Sequence, residues 1–234
     1  MASKLETIIQ QALRTFARAN KSFPEPSQND LTALKTLADV VTIRDVKLPK
    51  ILLQKTDVCD ILGKKWRPTI EPVEYLRIYE DADVSIGVFV LRQGAKLPIH
   101  DHPCMYGILK VIEGVIKVTS YSVVEMDTTI SVDNSTFFYK HPLKVIKHPE
   151  AAVSEKDPSC ILTPTERSIH EVECLAGPAA FLDILAPPYE EDSCSEPRGC
   201  HYFQEVVDNK NEDNYTRLIQ ISDPNYWAAP IDFK

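Results

Sequence analysis

From Val73 onward the chain reads as a long series of short β-strand segments, and this pattern constrains the fold more than any other feature. The segments are rich in Val, Ile, Tyr and Phe, and Gly, Pro, Asp and Asn separate them, as expected for strands joined by turns. They are VEYLRIYED, VSIGVFVLRQG, MYGILKVIEG, VIKVTSYSVV, a polar stretch around Val132 to Phe138, LKVIKHP, SCILTPTE, IHEVECLAG, AAFLDILAPPY, CHYFQEVV and YTRLIQISD. Many short strands with no intervening helical pattern indicate an all-β sandwich or barrel.

The N-terminal part has a helical pattern instead. Residues 3–20 carry apolar side chains close to helical spacing, and Ser3 and Glu6 form a capping-box signature at the start. A linker with two prolines, FPEPSQND, leads to a second expected helix over residues 30–41, whereas residues 43–70 allow no firm assignment. We therefore predict a mainly β protein in which a helical extension, residues 1–65, packs as scaffold on a jelly-roll barrel domain, residues 66–234.

Composition excludes several functional classes. The 234 residues are 44% hydrophobic and 26% charged, as in ordinary globular proteins, and the net charge of −8 argues against nucleic acid or an anionic membrane as partner. No apolar run approaches the ~20 residues of a membrane span, and the N-terminus lacks a signal-peptide pattern. We expect a cytoplasmic protein that can also be nuclear.

The six cysteines are expected to be thiols in that reducing compartment. None forms a CxxC pair, which argues against a structural zinc site. Cys59, Cys160 and Cys174 lie in apolar segments and are predicted to be small buried side chains, whereas Cys194 and Cys200 lie in a polar loop.

Two histidines stand two apart in the strand-like segment PIHDHPCMYGILKVIEG. Side chains at i and i+2 of a strand project from the same face, so His100 and His102 can present their imidazoles together while Asp101 points away. This is the geometry of a metal chelate, and imidazole is the commonest metal ligand among side chains. A third histidine, His170, follows in another strand-like segment that an antiparallel barrel can return to the first pair.

The surroundings of this pair resemble the first metal-binding motif of the cupin superfamily. Gly94 stands six residues before the first histidine, and Glu113 and Gly114 are expected to close a tight turn after the second. Cupins usually have a glutamate about four residues after the second histidine, but Tyr106 and Gly107 occupy that place here. A site of three histidines and one glutamate is therefore not expected.

Longer motifs make the resemblance more specific. They are HDHPCMYGILKVIEG, LTPTERSIHEVECLAGPAAFLDILAPPY, GCHYFQEV and RLIQISDPNYW. Together they resemble the thiol dioxygenase family that contains animal cysteamine (2-aminoethanethiol) dioxygenase and the plant cysteine oxidases, over most of residues 70–227. The resemblance implies a monomeric cupin (double-stranded β-helix) barrel with one non-haem Fe(II) per chain, bound by His100, His102 and His170, that oxidises a thiol to a sulfinate with O2.

Cysteamine and the N-terminal cysteine of a peptide share one aminothiol unit, so either or both can be the substrate. Peptide substrates would make the protein an oxygen sensor, in the way the family implies. Two other functions stay open on the sequence alone: a non-enzymatic cupin that binds a small ligand or a protein, and a zinc or manganese cupin isomerase or hydrolase.

Four further residues are candidates for the site. Asp183 is a carboxylate within a strand that is expected to be buried, FLDIL, where it is costly unless it is hydrogen-bonded or paired. Either it makes a structural hydrogen bond, or, as the resemblance suggests, it acts in the site through a ligand histidine or the substrate amine. Tyr189 is expected to hydrogen-bond oxygen or substrate, or to pack at the rim. Cys200 and Tyr202 stand two apart and can share a strand face. The resemblance implies a thioether cross-link between them. The alternative is that they simply form the end of an ordinary strand.

The remaining polar candidates are expected to be peripheral. The family usually has glycine where this chain has Cys104. We expect that thiol to pack into the barrel wall. The two alternatives, which we rank lower, are that it narrows the cavity or that it is oxidised at the metal. Strand alternation places Glu171 and Glu173 away from the ligand face. Surface or turn positions are expected for the other histidines, which are His141, His148 and His201.

Overall fold

The computed structural model describes residues 3–17, 25–53, 72–125, 142–190, 198–206, 215–224 and 230–232. Helices occupy the N-terminal part: α1 (Lys4–Phe16), α2 (Gln28–Asp39), α3 (Ile43–Val46) and a short 3-10 helix (Lys50–Leu53). The strands are β1 (Val73–Glu80), β2 (Ser85–Leu91), β3 (Lys96–Asp101), β4 (Tyr106–Glu125), β5 (Leu143–Lys147), β6 (Ala151–Ser154), β7 (Cys160–Leu162), β8 (Ile169–Ala186), β9 (Tyr202–Glu205), β10 (Thr216–Ile221) and β11 (Pro230–Asp232).

The long strands β4 and β8 pair with each other along most of their length and belong to both halves of the fold. In one half, residues 106–113 of β4 and 180–186 of β8 continue through β2 to β1 and β11, with β7 on the other side. In the other half, residues 115–125 and 169–176 join β3, β9, β10 and β5. This second half closes on itself, because β8, β4, β5, β10, β9 and β3 pair in a ring.

The ring encloses its own small apolar core, to which each of its strands contributes at least one side chain. The members are Ile99, Tyr121, Val123, Leu143, Val145, Ile169, Phe203 and Leu218. Since successive side chains of a strand alternate between faces, the residues next to Ile99, Ile169 and Phe203 point out of the ring. Three of them, His100, His170 and Tyr202, line the cavity of the candidate site.

The helices cover the outer face of the first half. Ile8 and Phe16 of α1 and Leu34 of α2 pack in one core with apolar residues of β2 and β8 such as Ile86 and Ile184. The opposite face of those strands is left for the site. The predicted helices and the capping box of Ser3 and Glu6 are present.

A polar contact supplements this packing. Asp39, the last residue of α2, accepts hydrogen bonds from the main-chain N–H and the hydroxyl of Ser159, both at 2.6 Å, and from Lys35 at 2.8 Å. Ser159 directly precedes β7. The contact therefore ties the helical part to the β-structure.

The turn expected at Glu113 and Gly114 is absent, and that prediction was wrong. β4 continues through Gly114 with shifts in register, so the glycine forms a bulge in place of a hairpin. Gly114 has φ +74°, and a Cβ there would lie 2.7 Å from the carbonyl oxygen of Ala176. A left-handed glycine in tight contact with β8 lets one long strand serve both halves.

Several expectations fall outside the described residues: the polar stretch near residues 132–138, Cys59, Cys194, His141 and the boundary at residue 65 between the two parts of the chain. Among the described helices, none combines the length and apolar character needed to cross a membrane.

Candidate metal centre and cavity

The structure brings the three candidate histidines together. His100 lies on β3 directly opposite His170 on β8, and His102 follows the end of β3. All three are buried, with ring centroids 4.7–4.9 Å apart. The Nε2 atoms of His102 and His170 are separated by 3.2 Å.

Hydrogen bonds orient two of the rings. Nδ1 of His100 lies 2.8 Å from the carbonyl oxygen of Pro98, which can only accept, so this nitrogen carries the proton. The Tyr189 hydroxyl donates to the carbonyl oxygen of Asp101 at 2.6 Å and lies 2.8 Å from Nδ1 of His102, which therefore donates to it. Both bonds leave Nε2 with a free lone pair, as metal ligation requires.

Burial keeps the cluster neutral. It lowers the pKa of His100 and lowers those of His102 and His170 well below the usual value, and the neighbouring imidazoles lower the latter two further. Burial also raises the pKa of Tyr189 well above its usual value, so the hydroxyl keeps its proton for Asp101. A neutral imidazole is the form that binds a metal.

These residues fit a metal ion. Two nitrogen ligands at ~2.1 Å from one metal and at right angles to each other lie ~3.0 Å apart, close to the observed 3.2 Å. The candidate ligand atoms of all three histidines lie within 4.8 Å of one another, and within the described residues no carboxylate joins them. Imidazole donors suit zinc, copper, iron and nickel alike, so the donor set by itself does not select iron.

Glu171 and Glu173 lie away from the cluster, as strand alternation predicted. Glu173 pairs with Lys96 at 3.1 Å and with Lys117 at 3.0 Å, and Glu171 lies 3.4 Å from Lys96. These contacts lower the pKa of Glu173.

A largely apolar cavity lies between the two halves of the fold, with the histidine cluster in its wall. Its volume of about 40 Å³ gives room for a few water-sized molecules. The lining residues are Phe89, Leu97, Pro98, His100, His102, Leu109, His170, Phe181, Asp183, Leu185, Tyr189 and Tyr202. The candidates Asp183, Tyr189 and Tyr202 thus share one cavity with the three histidines.

Asp183 faces this cavity from β8. It accepts no hydrogen bond from the described residues, so the expected structural hydrogen bond is not found there. Burial in the apolar cavity raises its pKa to about 7. A carboxylate held in this way is suited to receive a cationic group from a ligand.

Cys200 and Tyr202 lie next to each other, and Tyr189 is close to the same thiol. Tyr202 is directly opposite His100 in the ladder between β3 and β9. Burial raises the pKa of Cys200 to about 12, so the thiol stays protonated. Cys200 precedes β9, which begins at Tyr202, so the two side chains are close without sharing a strand.

Cys104 departs from expectation. It is exposed, with φ +56° in the turn after His102, and does not pack into the barrel wall. This left-handed conformation is one that glycine adopts without steric cost, which is in keeping with the glycine that the family resemblance led us to expect here. The turn directs the thiol to solvent instead of the cavity.

Of the described residues, His148, Cys160 and Cys174 lie outside the cluster. His148 lies 2.7 Å from the Ser122 hydroxyl in the segment after β5. Cys174 is buried as predicted, and Cys160 is partly buried.

Sequence reasoning missed one pair, Asp101 and His201. Nδ1 of His201 lies 2.9 Å from the Asp101 carboxylate, which also accepts the main-chain N–H of His201 at 2.8 Å. Strand alternation predicted that each of these side chains points away from the ligand face. It could not predict that the two would contact each other.

The fold and the site define the class: a mainly β protein with a cupin-type barrel and a buried three-histidine cluster that could hold a metal ion. The PCO_ADO family model matches residues 37–229. The chain belongs to this family.

Named relatives agree. The chain is 32% identical over 235 residues to 2-aminoethanethiol dioxygenase from Homo sapiens, with 87% of this chain and 81% of that protein covered. The Mus musculus protein of the same name is 31% identical, with 88% and 81% covered. Plant cysteine oxidase 1 from Arabidopsis thaliana is 25% identical, with 77% and 56% covered. The chain is therefore an enzyme of a dioxygenase family, and the non-enzymatic alternative is set aside.

Proposed function

We propose that this enzyme oxidises the thiol of cysteamine, of peptides with an N-terminal cysteine, or of both, to a sulfinate with O2. A single Fe(II) would be held by His100, His102 and His170. The convergence of three buried, neutral imidazoles on one cavity, with no carboxylate among the clustered ligands of the described residues, carries this proposal. The names of the family members supply the substrate class.

A ferrous ion, when bound, supplies the redox chemistry for O2 and favours the thiolate form of a sulfur ligand. The protein holds the candidate ligand rings in fixed orientations. His100 is fixed by Pro98 and His102 by Tyr189, so their Nε2 atoms face the cavity before any ion binds. Phe89, Phe181 and neighbouring apolar side chains exclude water from the sulfur.

Asp183 would bind the substrate amine. The substrate classes share an ammonium group two carbons from the sulfur, and Asp183 is an acid in the same cavity without a hydrogen bond from the described residues. An ammonium group near it would lower its pKa and hold it as a carboxylate. The amine would thereby be oriented and the sulfur directed towards the histidines.

Tyr189 would act by positioning His102, because its hydroxyl bonds to that ring. Direct contact with oxygen or substrate remains a prediction. A thioether between Cys200 and Tyr202 is also part of the proposal, supported by the contact of their side chains. Its formation would join the Cys200 sulfur to a ring carbon of Tyr202 in place of the S–H and C–H bonds, with O2 as the two-electron oxidant. It would show as the loss of two hydrogen atoms from the mass of the peptide that contains both residues.

We also propose, from family membership, that the enzyme acts as a monomer in the cytoplasm and also in the nucleus. With peptide substrates it would report oxygen through the oxidation state of an N-terminal cysteine. Oxidation of a peptide requires a cavity mouth wide enough to admit a polypeptide chain. Oxidation of cysteamine has no such requirement.

The test compares substrates on one iron-loaded preparation in air. Cysteamine and a Cys-initiated peptide are each incubated with enzyme, and mass spectrometry looks for the addition of two oxygen atoms while an electrode follows O2. The same peptide beginning with Ser is the control and should remain unchanged. Zinc-loaded protein should be inactive in both assays, because zinc has no redox chemistry. Iron-loaded protein that consumes no O2 and adds no oxygen to either substrate would overturn the proposal.

A further inference from the structure

Asp101 and His201 form a buried three-bond connection between β3 and the segment that leads into β9. The main-chain N–H of Asp101 donates to the carbonyl oxygen of His201 at 3.1 Å. In return, the Asp101 carboxylate accepts the main-chain N–H of His201 at 2.8 Å and faces Nδ1 of its ring at 2.9 Å. Asp101 is only 4% exposed, so water competes little for these bonds.

The two residues stand at the centre of the site without facing the cavity. Asp101 lies between His100 and His102, and its carbonyl oxygen is the acceptor for Tyr189. His201 separates Cys200 from Tyr202 in the sequence. One connection therefore fixes His100 and His102, at the end of β3, relative to Cys200 and Tyr202, at the start of β9.

Other links between β3 and β9 are sparse. The ladder between them consists of the single pair His100 and Tyr202. By comparison, β3 pairs with β8 through four residue pairs, so the position of His170 relative to His100 has separate support. The side-chain bonds of Asp101 and His201 must therefore carry much of the alignment of β9 with β3.

We propose that Asp101 and His201 are a positioning pair that aligns Cys200 and Tyr202 with the metal-binding histidines. The inference rests on the proposed function for the metal. Loss of the pair should let β9 shift away from β3, loosen the hydrogen-bonded support of His102 and expose the Cys200 thiol.

The experiment uses three variants of the full chain. His201→Ala removes the side-chain bond. His201→Asn places an amide N–H near the position of the original Nδ1–H and should restore it. His148→Ala is the matched control, since it removes a partly buried histidine bonded to Ser122 outside the cluster.

Metal-free protein is titrated with cobalt(II), and the visible spectrum of the bound ion reports ligand geometry. We expect His201→Ala to bind cobalt about 10-fold more weakly, with a changed spectrum, as for other residues that support metal ligands. Alkylation of Cys200 is measured by peptide mass spectrometry on protein that is produced without metal and kept anaerobic, so that the proposed thioether has not formed. It should be faster in His201→Ala than in wild type. His201→Asn and His148→Ala should resemble wild type in all three measurements.

A His201→Ala variant with the cobalt affinity, spectrum and Cys200 alkylation rate of His148→Ala would overturn the inference. Failure of wild-type protein to bind cobalt would instead count against the proposed metal site, while the alkylation rates would still test the alignment. An alkylation rate that rises equally in His201→Asn would also contradict the role given to the side-chain bond.

Discussion

Nδ1 of His102 lies 2.8 Å from the hydroxyl of Tyr189, a residue 87 positions further along the chain. The same hydroxyl donates to the main chain at Asp101, so the ring nitrogen must donate to the tyrosine. One phenol thereby selects the tautomer of a candidate ligand.

Replacing Tyr189 with phenylalanine should weaken metal binding about 10-fold, because the ring of His102 loses the partner that orients it. Metal titration of the apoprotein measures this effect. Tyr75→Phe is the control, since Tyr75 is a partly buried tyrosine whose hydroxyl lies 3.5 Å from that of Ser85 rather than next to a histidine. Equal affinities in the two variants would contradict the positioning role.

Asp183→Asn should raise KM for cysteamine about 10-fold or more, since a neutral amide binds ammonium far less well than a carboxylate does. The metal content should match that of wild type, because Asp183 is not among the clustered ligands. Steady-state kinetics with metal analysis separates the two effects. A loss of iron with an unchanged KM would place Asp183 in support of the ligands instead.

The same variant should change the pH dependence of stability in metal-free protein. The pKa of Asp183 is raised to about 7, so between about pH 4 and 7 the folded state holds a proton that the unfolded state has lost, and the free energy of unfolding falls as pH rises. The Asp183→Asn variant has no carboxyl group here, so its free energy of unfolding should not fall in this way. Relative to wild type, that free energy should rise by up to about 4 kcal/mol by pH 8. Urea unfolding across that range measures it; a difference that does not vary with pH contradicts the shift.

Asp39→Ala should lower the free energy of unfolding by about 2 kcal/mol at neutral pH, through loss of the bonds to Ser159 and Lys35. Burial raises the pKa of Asp39, but those hydrogen bonds outweigh it and leave the pKa lowered. The stabilisation is therefore complete above about pH 4 and disappears as the pH falls through the folded-state pKa. Glu113→Gln is the control, because it removes the charge of an exposed carboxylate. Its free energy of unfolding should change little at neutral or at acidic pH.

Gly114→Ala and Gly94→Ala form a matched pair. Both glycines have left-handed backbone, with φ +74° and +77°, but a Cβ at Gly94 would meet nothing within 4 Å. Strain alone should cost Gly94→Ala about 1 kcal/mol, whereas Gly114→Ala adds a clash with the main chain near Ala176 and should cost at least about 2 kcal/mol more. Similar unfolding free energies for both variants would show that the bulge can relax.

The sequence was informative where local periodicity determines the outcome. The two-residue spacing of His100 and His102 predicted a shared face, and the helical spacing near Ser3 predicted α1 with its cap. Gly114 was misread because a left-handed glycine has the same sequence signature in a turn and in a bulge. Cys104 was misplaced because its direction depends on backbone φ, which neighbouring side chains do not reveal.

Long-range relationships were less accessible. Periodicity could say that Asp101 and His201 turn from the ligand face, but their meeting depends on how β9 returns beside β3. The placement of His170 relied on an antiparallel return together with family resemblance. Contacts between distant segments thus required the fold itself.

His170 and Asp183 both line the cavity from one strand, β8, although they stand 13 residues apart. Strict alternation would place them on opposite faces, and the shift in register between Ala176 and Ala180 brings them to the same one. The span between the proposed sulfur-directing and amine-directing ends of the cavity is therefore built into the backbone of one strand. Substrates with a longer separation between amine and sulfur would have to be matched by exchanging side chains along that strand, because insertion of a single further residue would turn Asp183 to the other face.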